Sequence, residues 1–562
     1  MWMQQLLLSN VPLDAQLAAI WTHLRAELSF STLIYFKAAA HCDCWLGQLL
    51  AMSNATAATL VWNSSEKAPY LKPKQNVDML GLICLDSRVY ELLLNELAAM
   101  LDYMREVPLL IQLCAVAHKT EAEVASAELL IYTILERCQQ LLMPNVLVLF
   151  EDFFATRVLY AYQNFPTFNL LAQTYSATLQ LYPNKLLNLY GHMIRTAVCF
   201  DEPYAMAYRL PNGTQGITGV VWLLLIEFAR QLNGTLQLVS QPSAIKSIRG
   251  NVHTLMKLIA NNSLDIAITV QATSLGFVGN LKQMSYPALV GSWCIMLPVE
   301  HQLTTREAML HVMQSHWTWL YLALLYAAFC WLQRQRLLVK RILRLLPPLM
   351  QLTLLCVLVA QLAALLARPA QRERVNSIAD MSVSIAGLRS EFNIYPDRLR
   401  IKYPSSFTSF ESIQEFIALR KSLNTSFAYT ISSPKFALIS EMQQFFERPL
   451  FRYSTDICLK DLTLTSLLIQ SNYLNRHQLN LFIIQLRDSG LTRYWVRLSF
   501  YHMLRDKQLQ LKDFTPRCAM RSVSCMDWIY IAWFYALAVV AAVLVFLAEL
   551  TVYYSKTLLN LV

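Results

Sequence analysis

Three stretches of the chain stay apolar for longer than the helices of a water-soluble core: residues 317–333, 346–367 and 528–554. A helix rises about 1.5 Å per residue, so roughly 20 apolar residues cross the hydrocarbon core of a bilayer. The third stretch, WIYIAWFYALAVVAAVLVFLAELTVYY, has aromatic ends around small and branched apolar residues, the order expected of a span with interfacial belts. The second begins LPPLM, with Pro347 and Pro348 in its first turn, where their missing N–H groups cost least. The pattern therefore predicts three transmembrane helices.

Elsewhere the hydrophobic period changes. Over residues 30–185 the short apolar runs STLIYF, ATLVW, MLGLICL, VPLLIQL and NVLVLF alternate with the helical patterns VYELLLNELAAMLDYM and EAEVASAELLIYTILERCQQLLM. That alternation predicts a parallel sheet with crossover helices, an amino-terminal α/β domain over residues 1–185. No strand is followed by a phosphate-binding glycine loop, so no nucleotide site is expected. Residues 186–316 give a strand at LLNLYGHMIRTAVCF, then a helix from Gly219 to Leu232 capped by Asn233 and Gly234, then strands at LDIAITV and SYPALVGSWCIMLP. Residues 368–527 supply a second α/β half, with strands at SFAYTISS and TDICL and a helix at LNLFIIQLRDSGLTRYWVRL. One bilobed module is thus split by the first two spans.

Composition agrees with a membrane location: of 562 residues, 55% are hydrophobic and only 15% charged, and the mean hydropathy is +0.35. Arg334, Arg336, Lys340, Arg341 and Arg344 make residues 334–345 a short basic loop, which should stay in the cytoplasm. Residues 1–316 and 368–527 then lie outside and the tail 555–562 inside. Arg368, Arg372 and Arg374 run against that orientation by adding positive charge outside. The net charge of +10 is compatible with nucleic acid, anionic lipid or cytoplasmic basic loops, and composition alone does not choose among them; with the membrane reading no nucleic-acid partner is expected. Six N-x-S/T sequons, at Asn54, Asn63, Asn212, Asn233, Asn261 and Asn424, all fall on the outer side as glycosylation candidates. No export signal is evident in the first residues.

Candidate enzymatic chemistry is sparse. There is no nucleophile elbow and no HExxH, so neither an enzyme nor a cofactor is expected. His41, Cys42 and Cys44 form a dense soft-ligand cluster, but no second ligand pair follows at finger spacing, and no metal site is expected. The 12 cysteines suggest a few isolated disulfides and several buried thiols.

The order half-module, two spans, half-module, final span resembles the ionotropic glutamate receptor superfamily, and in particular its divergent chemosensory branch from insects. Pro203 and Tyr204 in DEPY resemble the family's P-Y after its first strand, and GITGVVWLLLIEFARQLNGTLQLV resembles its glycine-led helix and following turn. Asp265 in LDIAI, and Ser285, Tyr286 and Pro287, resemble the next strand and the lobe crossover. SFAYTISS and LNLFIIQLRDSGLTRYW, with Asp488, Gly490 and Trp495, resemble the second-half strand and helix, and FLAEL with Glu549 resembles the end of the last span. The resemblance covers about residues 186–554.

It implies a chemosensory, cation-conducting receptor subunit in the plasma membrane of sensory dendrites, gated by a small-molecule stimulus and assembled with co-receptor subunits in lipid. It also implies a disulfide from Cys458 to Cys518, with Cys525 as a competing partner. The alternative is a non-conducting subunit that recognises ligand or tunes trafficking within a heteromeric channel. Two departures narrow the reading. Val278, five residues after Thr273, stands where amino-acid-binding members carry the carboxylate-binding arginine, and Ser432 stands where they carry the ammonium-binding acid. Neutral side chains cannot offset the desolvation of a zwitterion, so a neutral or weakly polar ligand is expected, lined by Tyr204, Thr273, Val278, Ser432 and Ser433. The second departure is the pore: the 12 residues 334–345 are too few to reach mid-bilayer and return, which needs about ten helical residues inward and about five extended ones back. The gate-like run Ala360, Gln361, Leu362, Ala363 and Ala364 retains the family's alanines and leucines but few of its polar residues. The chain is expected to form only part of a pore.

Overall fold

A computed structural model describes residues 12–37, 44–52, 57–63, 70–71, 78–114, 121–210, 213–239, 252–272, 282–300, 374–389, 403–509, 511–515 and 525–559, with single helical positions between 307 and 364. Two compact units share the chain: residues 1–293, 432–442 and 460–511 form the first, and 294–431, 443–459 and 512–562 the second.

The first unit opens with a seven-stranded sheet of order β2-β1-β3-β4-β5-β6-β7. Its strands are β1 (Thr32–Lys37), β2 (Ala58–Asn63), β3 (Met79–Asp86), β4 (Leu109–Cys114), β5 (Val146–Phe150), β6 (Val158–Gln163) and β7 (Asn169–Thr174). The first five run parallel, as the alternation of strands and helices requires, and β6 and β7 close the edge antiparallel. Every residue of β4 and β5 is buried, because helices cover both faces. The helices are α1 (Leu13–Glu27), α2 (Leu46–Met52), α3 (Tyr90–Met100), α4 (Glu121–Gln140) and the single turn α5 (Phe153–Thr156). Ile83 and Leu85 of β3 face the α3 and α4 core, with Leu94 and Ile131, while Leu82 and Cys84 face the α1 and α2 core, with Leu17 and Leu46.

The chain continues through β8 (Met193–Val198), β9 (Met206–Arg209), β10 (Gln215–Thr218), α6 (Val220–Gln231), β11 (Thr235–Leu238), α7 (Val252–Ala260), β12 (Ile266–Ala272) and β13 (Met284–Pro298). Helix α6 ends as its sequence indicates: Asn233 adopts φ 50° and the Gly234 N–H returns to the Ala229 carbonyl. Beyond residue 374 come β14 (Ser384–Leu388), β15 (Phe407–Phe410), α8 (Ile413–Lys421), β16 (Phe427–Ser432), α9 (Ser433–Gln443), β17 (Phe451–Ile469), α10 (Arg476–Ser489), α11 (Leu491–Arg505) and α12 (Cys525–Leu559). In the first unit β8 lies parallel to β11 and β12, and β12 pairs antiparallel with the end of β17, Ile266 opposite Ile469. The stretch read as one helix from LNLFII onward breaks into α10 and α11 at Gly490, which takes φ 72°. Both helices bury apolar faces in the α6 core: Leu479, Ile483, Leu486 and Trp495 join Leu224, Leu225 and Phe228. The second unit centres on Ile295, Leu297, Ile385, Ala428 and Ile457, with β14 parallel to β15 and β16.

Among the described residues one helix is long and apolar enough to cross a membrane: α12, over Tyr535–Ser555, none of it buried within the protein. The other two candidate spans, 317–333 and 346–367, and the loop 334–345 lie outside the described residues, save single positions. Of the gate-like run, Ala360 and Ala364 are helical and Gln361, Leu362 and Ala363 lie outside them.

Cys458 corrects one expectation, because it is bonded to Cys294 rather than to Cys518. The neighbouring strands β13 and β17 bring the two Cα atoms within 3.8 Å despite 164 residues of sequence separation, and Cys518 lies outside the described residues. A second disulfide joins Cys44 to Cys84. A disulfide sulfur is no thiolate ligand, so Cys44 drops from the soft-ligand cluster, whose His41 and Cys42 lie outside the described residues. Cys138 is a buried thiol, which burial pushes up to about 12.

Candidate ligand site

The site grows from the turn after β8. Tyr204 and Ala205 both return their N–H groups to the Asp201 carbonyl, at 2.8 and 3.0 Å. The turn's own carbonyls then serve α6: Val220 N–H donates to Pro203 O at 3.1 Å and Val221 N–H to Tyr204 O at 2.9 Å. Two of the otherwise unpaired donors at the helix start are satisfied this way. Gly219 makes the approach possible, since it holds φ 123° and a Cβ there would collide with the Tyr204 carbonyl. The P-Y turn and the glycine-led helix are therefore two halves of one local structure.

This turn buries the Tyr204 ring in the α6 core, 5% exposed, with its hydroxyl beside Ser432 at the end of β16. Burial pushes the phenol up, and the neighbouring Ser432 hydroxyl opposes the rise. The Ser432 Oγ is itself buried and, among the described residues, has no partner in good hydrogen-bond geometry. The two hydroxyls thus stand close with directional capacity to spare. Ser433 opens α9 and is already engaged: the Ser292 N–H donates to its Oγ at 3.1 Å, and a side chain at Gly291 would strike that oxygen. It anchors α9 to β13, leaving its own proton for a further bond.

Sequence reasoning missed two charges beside Tyr204. Lys435 Nζ lies 2.7 Å from Asp201 Oδ1 and 5.9 Å from the centre of the Tyr204 ring. With the lysine 27% and the aspartate 45% exposed, such a pair contributes about 0–1 kcal/mol. Asp201 sits in the DEPY motif that sequence reading singles out and Lys435 just beyond SFAYTISS, but their pairing depends on contacts between distant segments. The arrangement sets two buried hydroxyls and a buried aromatic ring beside an ion pair without net charge.

Of the five lining candidates, Tyr204, Ser432 and Ser433 are brought together, and Thr273 and Val278 lie outside the described residues. Asp265, matched to the family's strand motif, does structural work. Its carboxylate accepts from Arg195 Nε and a terminal guanidinium nitrogen at 3.3 and 2.7 Å and from the Arg195 N–H at 2.8 Å. That fork-like pairing fixes β12 beside β8. Next to the site, Thr218 Oγ1 lies 2.8 Å from His502 Nδ1, and the His502 ring stacks on Tyr208 at 5.1 Å. Burial and the adjacent Arg505 both hold the His502 imidazole below its ordinary value.

No protein-family model and no curated protein sequence matches the chain.

Proposed function

We propose that this chain is a three-span receptor subunit of the ionotropic type, which binds a small organic molecule near Tyr204 and contributes to a ligand-gated cation channel with co-receptor subunits. One observation carries the reading: chain from before residue 301 and chain from after residue 374 share a single core, in which α6 packs against α10 and α11 and β12 pairs with β17. Segments that fold together lie on one side of a membrane, so the chain between them crosses it an even number of times. Two apolar stretches of spanning length occupy that interval, and α12 then adds a third crossing. The disulfides Cys44–Cys84 and Cys294–Cys458 favour the oxidising outer side for both units.

The ligand class follows from the site. Lys435 and Asp201 neutralise each other, which leaves hydroxyls and an aromatic ring to recognise an uncharged molecule with one hydrogen-bonding group. Gating works by biasing an existing equilibrium, with ligand favouring the conformation that strains the second span. In the alternative, a non-conducting recognition subunit, the same site tunes a neighbour's channel.

The test is co-expression with an ionotropic co-receptor, followed by current recording against a panel of small alcohols, esters and amides. The reading predicts an evoked current that Tyr204→Phe or Ser432→Ala weakens about tenfold in half-maximal concentration, the scale of one lost hydrogen bond, while the charge-neutral double variant Lys435→Met with Asp201→Asn leaves it. Loss of the response in that double variant would point to a charged ligand instead. A change of ion selectivity on adding this chain places it in the pore, a change of ligand response alone supports the alternative, and no change of either kind with normal surface delivery contradicts both.

A further inference from the structure

The segment 301–374 begins just after Glu300 and ends just before Val375, and one side chain holds both points. Arg452, the second residue of β17, donates through Nε to the two Glu300 oxygens at 2.9 and 3.2 Å and through a terminal nitrogen to Glu300 Oε1 at 2.5 Å. The same terminal nitrogen donates to the Val375 carbonyl at 2.9 Å. The Val375 N–H closes the ring by donating to Glu300 Oε1 at 3.2 Å. Just before it, the Val299 N–H donates to the Leu450 carbonyl at 2.8 Å, which aligns the outgoing chain with the start of β17. Glu300 is 10% and Arg452 21% exposed. Burial alone would raise the Glu300 carboxyl; the hydrogen bonds from Arg452, its own backbone and Val375 outweigh it and hold the group below the usual range.

Such a ring needs arginine. Its planar fork can meet a carboxylate and a carbonyl at once, whereas lysine is a point charge on a flexible stem. A partly buried pair of this kind is poor evidence for added stability and is better explained by the unique arrangement that it specifies.

The geometry points to Arg452 as a clasp that holds the two ends of the 301–374 segment together, so that a pull along β17 reaches both ends as one. The clasp deepens the receptor reading and rests on it for the statement that the clasped segment is the one bearing the first two spans.

The test uses trypsin on the full-length chain in intact cells, with cleavage after Arg374 measured against cleavage after Lys507. Both side chains are exposed, but cutting after Arg374 requires the Arg374–Val375 peptide to leave the ring, whereas Lys507 lies in a turn remote in sequence from it. The ratio of the two cuts should rise about tenfold in Arg452→Gln and in Glu300→Gln, and Arg452→Lys should rescue it only in part. The ratio cancels any general loosening, and Glu300→Gln, which keeps shape and volume, covers the case in which the arginine variant folds badly. A ratio unchanged in both variants would overturn the clasp. If neither site is cut until detergent is added, the outside placement fails, and the same ratio measured in detergent still decides the clasp.

Discussion

His502 shows how a single side chain joins the fold of the first unit to its solvent conditions. Its ring is stacked on Tyr208 of β9, faces the Thr218 hydroxyl of β10, and has Arg505 and Asp506 close by at the end of α11. A histidine whose folded-state value lies below its ordinary 6.5 binds fewer protons when folded than when unfolded. Stability therefore rises with pH across the interval between the two values and is lost as pH falls below about 6.5. Thermal unfolding followed from pH 7.5 to pH 5 should show this loss, and His502→Phe, which keeps the stacking and removes the proton site, should flatten it. An unchanged pH slope in that variant would assign the acid sensitivity elsewhere. At this scale, what was local was legible. Tyr204 and Gly219 are neighbours through a turn and a helix start, and both could be named from the string that contains them. The Asp201–Lys435 pair and the free capacity of Ser432 depend on where distant segments meet, and no spacing rule encodes that.

Elements divide by how much of their signal is continuous. Strands β3, β4 and β5 are predominantly apolar runs buried on both faces, with the buried Gln112 the one polar residue inside β4, so they could be read directly, as could α3, α4 and α6. The short hairpin β9–β10 and the edge strand β7 have mixed, half-exposed patterns, and they escaped. Only TDICL was read from β17, because polar positions such as Lys460, Asp461 and Thr463 interrupt its 19 residues. Gly490 sits in a helix-like run, and only its left-handed conformation divides α10 from α11. Helix α12 makes the sharpest element-scale prediction. Its described side chains over Tyr535–Ser555 are exposed, and Leu544 is 61% exposed. On a helix in water, Leu544→Arg would be close to neutral. At the centre of a span it costs about 2.5–3.5 kcal/mol on insertion scales, so resistance to alkaline extraction from membranes should fall sharply. Unchanged extraction behaviour would remove α12 from the membrane.

At the scale of the molecule, the alternation of strands and helices and the last of the long apolar stretches were legible, and the two-unit division was not. Residues 432–442 and 460–511 belong with the first unit because α10 and α11 bury Leu479, Ile483 and Trp495 in the core of α6. The Cys294–Cys458 bond was invisible for the same reason, since adjacency of β13 and β17 is a property of the sheet and not of the cysteine spacing. These long-range associations also hold the central claim, that the chain returns to the side it left between residues 300 and 375. Glycosylation reads that claim directly, because Asn233 in the first unit and Asn424 in the second are both exposed sequon residues. Removing each with Asn→Gln and scoring the mobility of the product should give a shift for both, one glycan apiece. If Asn233 carries glycan while neither Asn424 nor a control sequon engineered into residues 400–430 ever does, the two halves face opposite sides of the membrane, and the shared core, the ligand site and the receptor reading fall together.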